Sequence, residues 1–288
     1  MAVNVLARNN VRVFGAGPRP MLFAHGFGCD QRMWRHVAPA FADDHRVVLF
    51  DYVGAGGSDL DAYDATRYGT LGGYARDVLE VCAALDLRDV IFVGHSVSAM
   101  VGVLAAIREP DRFAHLVLVA PSPCYRNAPP DYAGGFERDE LDELLERMDH
   151  DRDGFARYLA PVVAGNAERP ELAAEFEASF CAADPWILRR FAETTFLSDN
   201  RADLARVRVP SLILQCRDDA MAPEAVGAYV HRHLAGSTLH RLRATGHAPH
   251  LSAPAETAAA IRAYLAGASR PEAATRPATA RGPEPAAV

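Results

Sequence analysis

Ile91-Phe92-Val93-Gly94-His95-Ser96-Val97-Ser98-Ala99-Met100 decides the fold of this chain. An apolar run ends in Gly-His-Ser, and small residues follow. The pattern predicts a buried strand, a sharp turn and the start of a packed helix. A turn of that kind pushes Ser96 out of the backbone and into a cleft, where its hydroxyl can act as a nucleophile. Strand and helix approach closely on both sides of such a turn, so small residues are needed there. Gly94 supplies one before the serine. Ser98 stands where a second glycine is usual, still small but with a Cβ.

The segments on either side of this stretch repeat its logic. Met21-Leu22-Phe23-Ala24 and Val47-Val48-Leu49-Phe50 are short, fully apolar runs, as is Leu116-Val117-Leu118-Val119. Such runs suit strands buried on both faces. Between them lie a predicted helix at 32–41, with Trp34, Val37 and Phe41 on one side, a second through Val78, Val81, Cys82 and Leu85, and a third ending near Ile107. Strands that alternate with helices form a doubly wound, mostly parallel sheet with helices on both faces. Val11–Phe14, followed by Gly15-Ala16-Gly17-Pro18, predicts an opening hairpin onto the next strand. The glycine-rich loop from Asp51 to Asp59 matches neither GxxxxGK[ST] nor a GxGxxG that opens a helix, so close packing beside a cleft is the expectation.

The pattern changes between 131 and 200. Four helical segments are predicted there, near 139–148, 154–163, 170–181 and 185–197, with no strand. Asp184-Pro185 is a cap followed by proline at the first helical position. The insert carries Phe136, Phe155, Tyr158, Phe176, Phe180, Trp186, Phe191 and Phe196. So many aromatics exceed what a small helical core buries by itself, and several are expected to line an apolar cavity over Ser96. Sheet and helix alternation then returns, with strands at 209–216 and 238–242 and helices at 225–234 and 254–265. The expected organisation is an α/β core at 1–130 and 201–266, a helical cap at 131–200, and a disordered Ala/Pro-rich tail at 267–288.

Composition bounds the partners. The chain has 288 residues, a formal net charge of -7 and 50% hydrophobic residues. That balance disfavours nonspecific binding to nucleic acid or an anionic membrane. No apolar run reaches the length of a membrane span, and Arg8, Asn9 and Asn10 interrupt any apolar leader. Cys29, Cys82, Cys124, Cys181 and Cys216 form no framework or zinc spacing, which suits a cytoplasmic protein with free thiols.

A serine hydroxyl needs a base beside it, and the base needs an acid to hold its tautomer. His247 follows a predicted strand in a loop that Gly246 makes tight. Asp219 ends the preceding strand region. The chain order Ser96, Asp219, His247 is that of the α/β-hydrolase fold. Asp218 competes as the acid, and His250 and His95 compete as the base. An oxyanion hole needs two donors. The Val97 N–H, just after the serine, and the Phe27 N–H, in the loop after the first buried strand, are the candidates. The Phe27 side chain would also line the pocket. Nothing in this scheme requires a metal or a cofactor.

Several motifs taken together resemble the RsbQ-like α/β-hydrolases, positive regulators of bacterial energy-stress pathways related to plant strigolactone and karrikin receptors. These are Asn9-Asn10, His25-Gly26-Phe27-Gly28-Cys29-Asp30-Gln31 and Phe50-Asp51-Tyr52-Val53-Gly54. They continue with Gly94-His95-Ser96-Val97, Pro121-Ser122-Pro123-Cys124-Tyr125, Asp218-Asp219, Gly246-His247 and Pro249-His250. The resemblance spans residues 4–266. It implies Ser96 as nucleophile, Asp219 as acid, His247 as base, and Phe27 as the second oxyanion donor. It also implies a four-helix cap over a deep, enclosed apolar pocket, with Phe136 and Phe196 facing the ligand beside Tyr158 and Trp186. The implied ligand is a small hydrophobic ester or lactone, and the implied partner is a sensory phosphatase or kinase. A metabolic esterase or lactonase and a non-catalytic binding regulator remain the alternatives. The Gly-His-Ser-Val-Ser form is closer to the plant receptors than to the bacterial regulator.

Overall fold

The structure is a computed structural model that describes residues 4–268; the tail expected at 267–288 lies, beyond Ala268, outside the described residues. Seven strands form one sheet: β1 (Arg12–Phe14), β2 (Arg19–Ala24), β3 (His45–Leu49), β4 (Val90–His95), β5 (Phe113–Val119), β6 (Ser211–Arg217) and β7 (Ser237–Thr245). Their order is β1-β3-β2-β4-β5-β6-β7. Every pairing is parallel except β1 with β3.

The expected opening hairpin does not form. β1 pairs with β3, with Val13 opposite Val48, and β3 separates it from β2. A tight hairpin would have left the outer edge of the apolar β3 without a partner. Short β1 covers that edge instead.

The central strands are buried on both faces, as their continuous apolar runs require. Leu22, Ala24, Phe92, Leu116 and Leu118 point to one core. Met21, Phe23, Ile91, Val93, Val117 and Val119 point to the other, with Trp34, Val37, Phe41 and Ile261. The predicted helix at 32–41 is two 3₁₀ turns, Gln31–Trp34 and Ala38–Phe41. Pro39 has no N–H to give a continuous helix and sits at the start of the second turn. Trp34, Val37 and Phe41 still reach the core as the pattern predicts.

The helices, in chain order, are α1 (Val5–Arg8), α2 (Leu71–Ala84), α3 (Val97–Arg108), α4 (Arg138–His150), α5 (Arg152–Ala164), α6 (Pro170–Ala182), α7 (Pro185–Phe196), α8 (Glu224–His233), α9 (Pro249–Ser252) and α10 (Pro254–Gly267). Four of them, α4 to α7, follow β5 and precede β6. They pack on one another, and the side chains of α5, α6 and α7 meet the loops at the carboxyl ends of the strands. Asp184 caps α7 by accepting from the Ile187 N–H at 2.9 Å. No described helix is long and apolar enough to cross a membrane.

A buried carboxylate ties the loops at this end of the sheet together. Asp51 accepts from the Gln31 N–H (2.8 Å), the Gly57 N–H (2.9 Å) and the Asn10 amide (2.7 Å). A Cβ on Gly56 would lie 2.4 Å from that carboxylate. The glycine-rich loop thus wraps a side chain of its own protein.

Candidate active site

β4 leads directly into α3, and Ser96 stands between them at φ 56°, ψ -122°. Such a conformation is strained for any residue with a side chain. It is held by the Ser96 N–H bonded to the Val119 carbonyl (2.8 Å) and the Ser96 carbonyl accepting from Ala99 (2.9 Å). Close approach accounts for the flanking small residue: a Cβ on Gly94 would meet the Ser98 carbonyl oxygen at 2.5 Å.

Three side chains from distant positions converge at this turn. The Ser96 hydroxyl lies 2.7 Å from His247 Nε2. His247 Nδ1 lies 2.8 and 3.0 Å from the two oxygens of Asp219. All three residues are buried. Asp219 also accepts from the Met221 and Ala222 N–H groups at 2.9 and 3.0 Å. Its carboxylate therefore points at Nδ1 with no freedom to rotate, and Nε2 is left as the acceptor for the serine proton.

The competitors lie elsewhere. Asp218 is solvent-exposed and, among the described residues, its carboxylate reaches only Arg217. His250 is packed between Trp34 and His95. His95 borders the same space as Ser96 but hydrogen-bonds the His247 carbonyl through Nε2 at 2.8 Å. A carbonyl only accepts, so Nε2 carries the proton. Burial, and then the neighbouring His250 and His247, hold His95 well below the ordinary histidine range. Burial brings His250 down to about 3. Both are neutral supports of the loop that carries His247.

Val97 is the first residue of α3, so its N–H has no partner within the helix. Phe27 lies in the loop after β2, which passes against the serine: a Cβ on Gly26 would be 3.4 Å from that of Ser96. Ser98 joins the two segments. Its hydroxyl donates to the His25 carbonyl and accepts from Tyr52 at 2.8 Å. The side chain that replaces the usual glycine thus ties helix α3 to the 25–28 loop.

The space over Ser96 is lined by Phe27, Tyr125, Leu159, Val163, Phe176, Thr195, Phe196 and Met221. It is apolar, but it is not the deep pocket that the resemblance implied. The space open to the centre of a water molecule is about 20 Å³, enough for roughly one water. Aromatic rings close it: Phe27 meets Phe196 at 5.4 Å, Phe191 at 5.7 Å and Phe180 at 5.8 Å between centroids. A much larger groove, about 600 Å³ by the same measure, runs between α7 and residues 69–72 and touches none of the residues around Ser96.

Of the aromatics expected to face a ligand, Phe27 and Phe196 line this space. Tyr158 and Trp186 do not, and each is about half exposed (54%). The inward stripe of α5 is Phe155, Leu159 and Val163, four residues apart. Tyr158 is one position back from Leu159, about 100° around the helix, and stands against Arg147 instead. Trp186 sits on Tyr63 and Arg190 at the outer surface of α7. Phe136 is partly buried outside the cavity. Its backbone bonds Tyr125 (3.1 Å) and Asn127 (2.7 Å), so it sets the position of Tyr125.

Sequence reasoning left Tyr125 without a role, yet its hydroxyl is 3.2 Å from that of Ser96. Burial pushes this phenol up to about 12, so it stays protonated beside the serine. Periodicity does not mark it, because it lies in a loop after β5, and its one signal is its place in the Pro121-Ser122-Pro123-Cys124-Tyr125 motif. Leu159 and Val163 were findable from their helical spacing to Phe155.

The insert and the histidine loop are clamped together. The His247 N–H donates to the Val163 carbonyl at 2.8 Å. Asn166 donates from one amide nitrogen to the carbonyls of Ala164 and Thr245. Gly165 (φ 60°) and Gly246 (φ 78°) touch backbone to backbone, with no room for a Cβ on either.

Residues 21–260 match the model of the alpha/beta hydrolase family, and the chain belongs to that family. It is 40% identical over 263 residues to strigolactone esterase D14 of Arabidopsis thaliana, covering 91% of this chain and 98% of that one. It is 40% identical over 247 residues to karrikin insensitive 2 receptor CA of Petunia hybrida, covering 85% and 91%. A hydrolase from Oleispira antarctica has the same fold at a TM-score of 0.90 and 42% identity, covering 92% of this chain and 97% of that one. The relation to the plant receptors read from the motifs holds across nearly the whole chain.

Proposed function

We propose that the protein is a serine hydrolase of small hydrophobic esters or lactones, with Ser96 as nucleophile, His247 as general base and Asp219 as the orienting acid. The observation that carries this reading is the unbroken hydrogen-bonded line from Ser96 Oγ through both nitrogens of His247 to Asp219. As Ser96 attacks the carbonyl carbon, His247 Nε2 takes its proton. Charge develops on the carbonyl oxygen, and the N–H groups of Val97 and Phe27 are the donors we assign to it. The imidazolium returns the proton to the leaving oxygen. Water then attacks the acyl group with His247 again as base. Residues 131–200 act as a cap whose aromatic rings must part to admit a substrate, because the closed cavity holds about one water.

Ser96→Ala is expected to abolish hydrolysis of p-nitrophenyl acetate with Tm and circular dichroism retained, and Asp219→Asn to lower kcat by about 10⁴-fold. Undiminished turnover in Ser96→Ala would sink the assignment.

We further infer that hydrolysis serves signalling, in the cytoplasm, through a partner that reads the state of the cap. Support comes from the likeness to proteins named as a strigolactone esterase and a karrikin receptor. It also comes from the direct bonding of the cap to the histidine loop. The motif resemblance to energy-stress regulators points to a sensory phosphatase or kinase as that partner. Loss of partner capture on substitution of cap residues, with esterase activity retained, separates this role from that of a metabolic esterase.

A further inference from the structure

Two threonines stand side by side on α7, and they are satisfied differently. The Thr194 hydroxyl donates to the Tyr68 carbonyl at 3.2 Å. The Thr195 hydroxyl is buried, in a residue only 1% exposed, and has no hydrogen-bond partner among the described residues. A threonine inside a helix normally points its hydroxyl to solvent or bonds it back to the carbonyl one turn earlier. Thr195 does neither. Burying a hydroxyl without a partner disfavours folding, and a valine of the same shape would avoid that cost.

Its position gives the hydroxyl a use. Thr195 lines the cavity over Ser96, next to Phe196, whose ring touches both Phe27 and Tyr125. The other polar side chains there are already committed. Ser96 and His247 are bonded to each other, and Tyr125 is bonded to Ser96. His95 also has an unpartnered nitrogen, Nδ1, which lies against the Gly26 backbone: a Cβ on Gly26 would be 2.5 Å from it. Among the described residues that line this enclosure, Thr195 supplies the one uncommitted side-chain hydroxyl.

We propose that Thr195 is a specificity-determining residue that hydrogen-bonds a second oxygen of the substrate, apart from the ester group that Ser96 attacks. The preferred substrate is then a compact ester or lactone with an ether, hydroxyl or further carbonyl oxygen near the reacting carbonyl. A purely hydrocarbon acyl chain leaves the hydroxyl unpaired in the complex. A site built to bond an oxygen discriminates against the analogue that lacks it.

This inference rests on the acyl-transfer reading, and the test separates the two. The probes are p-nitrophenyl methoxyacetate and p-nitrophenyl butyrate, equal in chain length, with an oxygen in place of one methylene. Their ratio of kcat/KM in wild type, Thr195→Val and Thr195→Ser cancels the intrinsic difference in ester reactivity. Thr195→Val is expected to lower the ratio, methoxyacetate over butyrate, by roughly tenfold, and Thr195→Ser to retain it. Thr195→Val should also hold or raise Tm, whereas removal of a structural hydroxyl lowers it. A ratio in Thr195→Val within twofold of wild type overturns the proposal. If wild type hydrolyses neither ester, the acyl-transfer reading fails. Thr195 is then judged by ester affinities in Ser96→Ala against Ser96→Ala/Thr195→Val: the same tenfold change upholds it, and no change overturns it.

Discussion

Removing the Ser98 hydroxyl tests how the two proposed oxyanion donors are held in register. Ser98 is fully buried, as is Tyr52. Its hydroxyl makes two hydrogen bonds, to the His25 carbonyl and from the Tyr52 phenol. Ser98→Ala deletes both and leaves two buried polar groups unpaired. Each lost bond is worth about 1 kcal/mol net, and each orphan adds to that, so the expected cost is about 2–4 kcal/mol. For a chain of this size that is roughly 3–8 °C in Tm. His25 begins the loop that presents the Phe27 N–H, so kcat toward p-nitrophenyl acetate should fall roughly tenfold, a fraction of the loss on removing an oxyanion donor outright. The double variant Ser98→Ala/Tyr52→Phe removes the orphaned phenol and should cost at least about 1 kcal/mol less than the sum of the single changes. The assays are thermal and urea unfolding with steady-state kinetics. A Tm within 1 °C of wild type and additive single changes would refute the argument.

Asn166→Ala removes the side chain that joins the Ala164 and Thr245 carbonyls. It should cost about 1–2 kcal/mol and lower kcat more than it changes KM, because it loosens the base loop and not the pocket wall. Equal loss in both constants would argue against the clamp. Acid should destabilise the fold through His95 and His250. Both have folded pKa values depressed below 6.5, His250 to about 3, so below pH 6.5 the unfolded chain binds protons that the folded chain does not. The stability from keeping them neutral is complete above about 6.5 and is lost as pH falls below it; for His250 the loss is about 1.4 kcal/mol per pH unit down to about 3, and His95 adds a loss of the same sign. Urea unfolding across this range should show a shallower slope in His250→Asn.

Much of the architecture was legible in local pattern. Strands buried on both faces must be continuously apolar, so β2, β3, β4 and β5 announce themselves. The Ser96 elbow requires small neighbours, and Gly94 and Ser98 display that requirement. Asp184-Pro185 marks the start of α7 because capping is chemistry within one turn. The residue types of a serine nucleophile with its acid and base, and their order along the chain, are likewise visible.

Other features depend on what the chain meets far away. β1 reads as half of a hairpin, but its partner was decided by which sheet edge needed covering. Asp218 and Asp219 are identical neighbours until the turn after β6 exposes one and points the other at His247. Tyr158 and Trp186 have the composition of ligand contacts, yet the rotation of α5 and α7 against their neighbours turned both outward. The depth of the cavity is the sharpest case. Aromatic content predicts an apolar lining, but volume is the residue left after rings interlock, and tenths of an ångström in packing decide it. The sequence by itself determined the elbow, the strands and the kind of chemistry Ser96 can attempt, because those follow from near neighbours. Tertiary structure alone decided that Thr195 lines that cavity with its hydroxyl unpaired, because a hydroxyl is left orphaned only by everything packed around it.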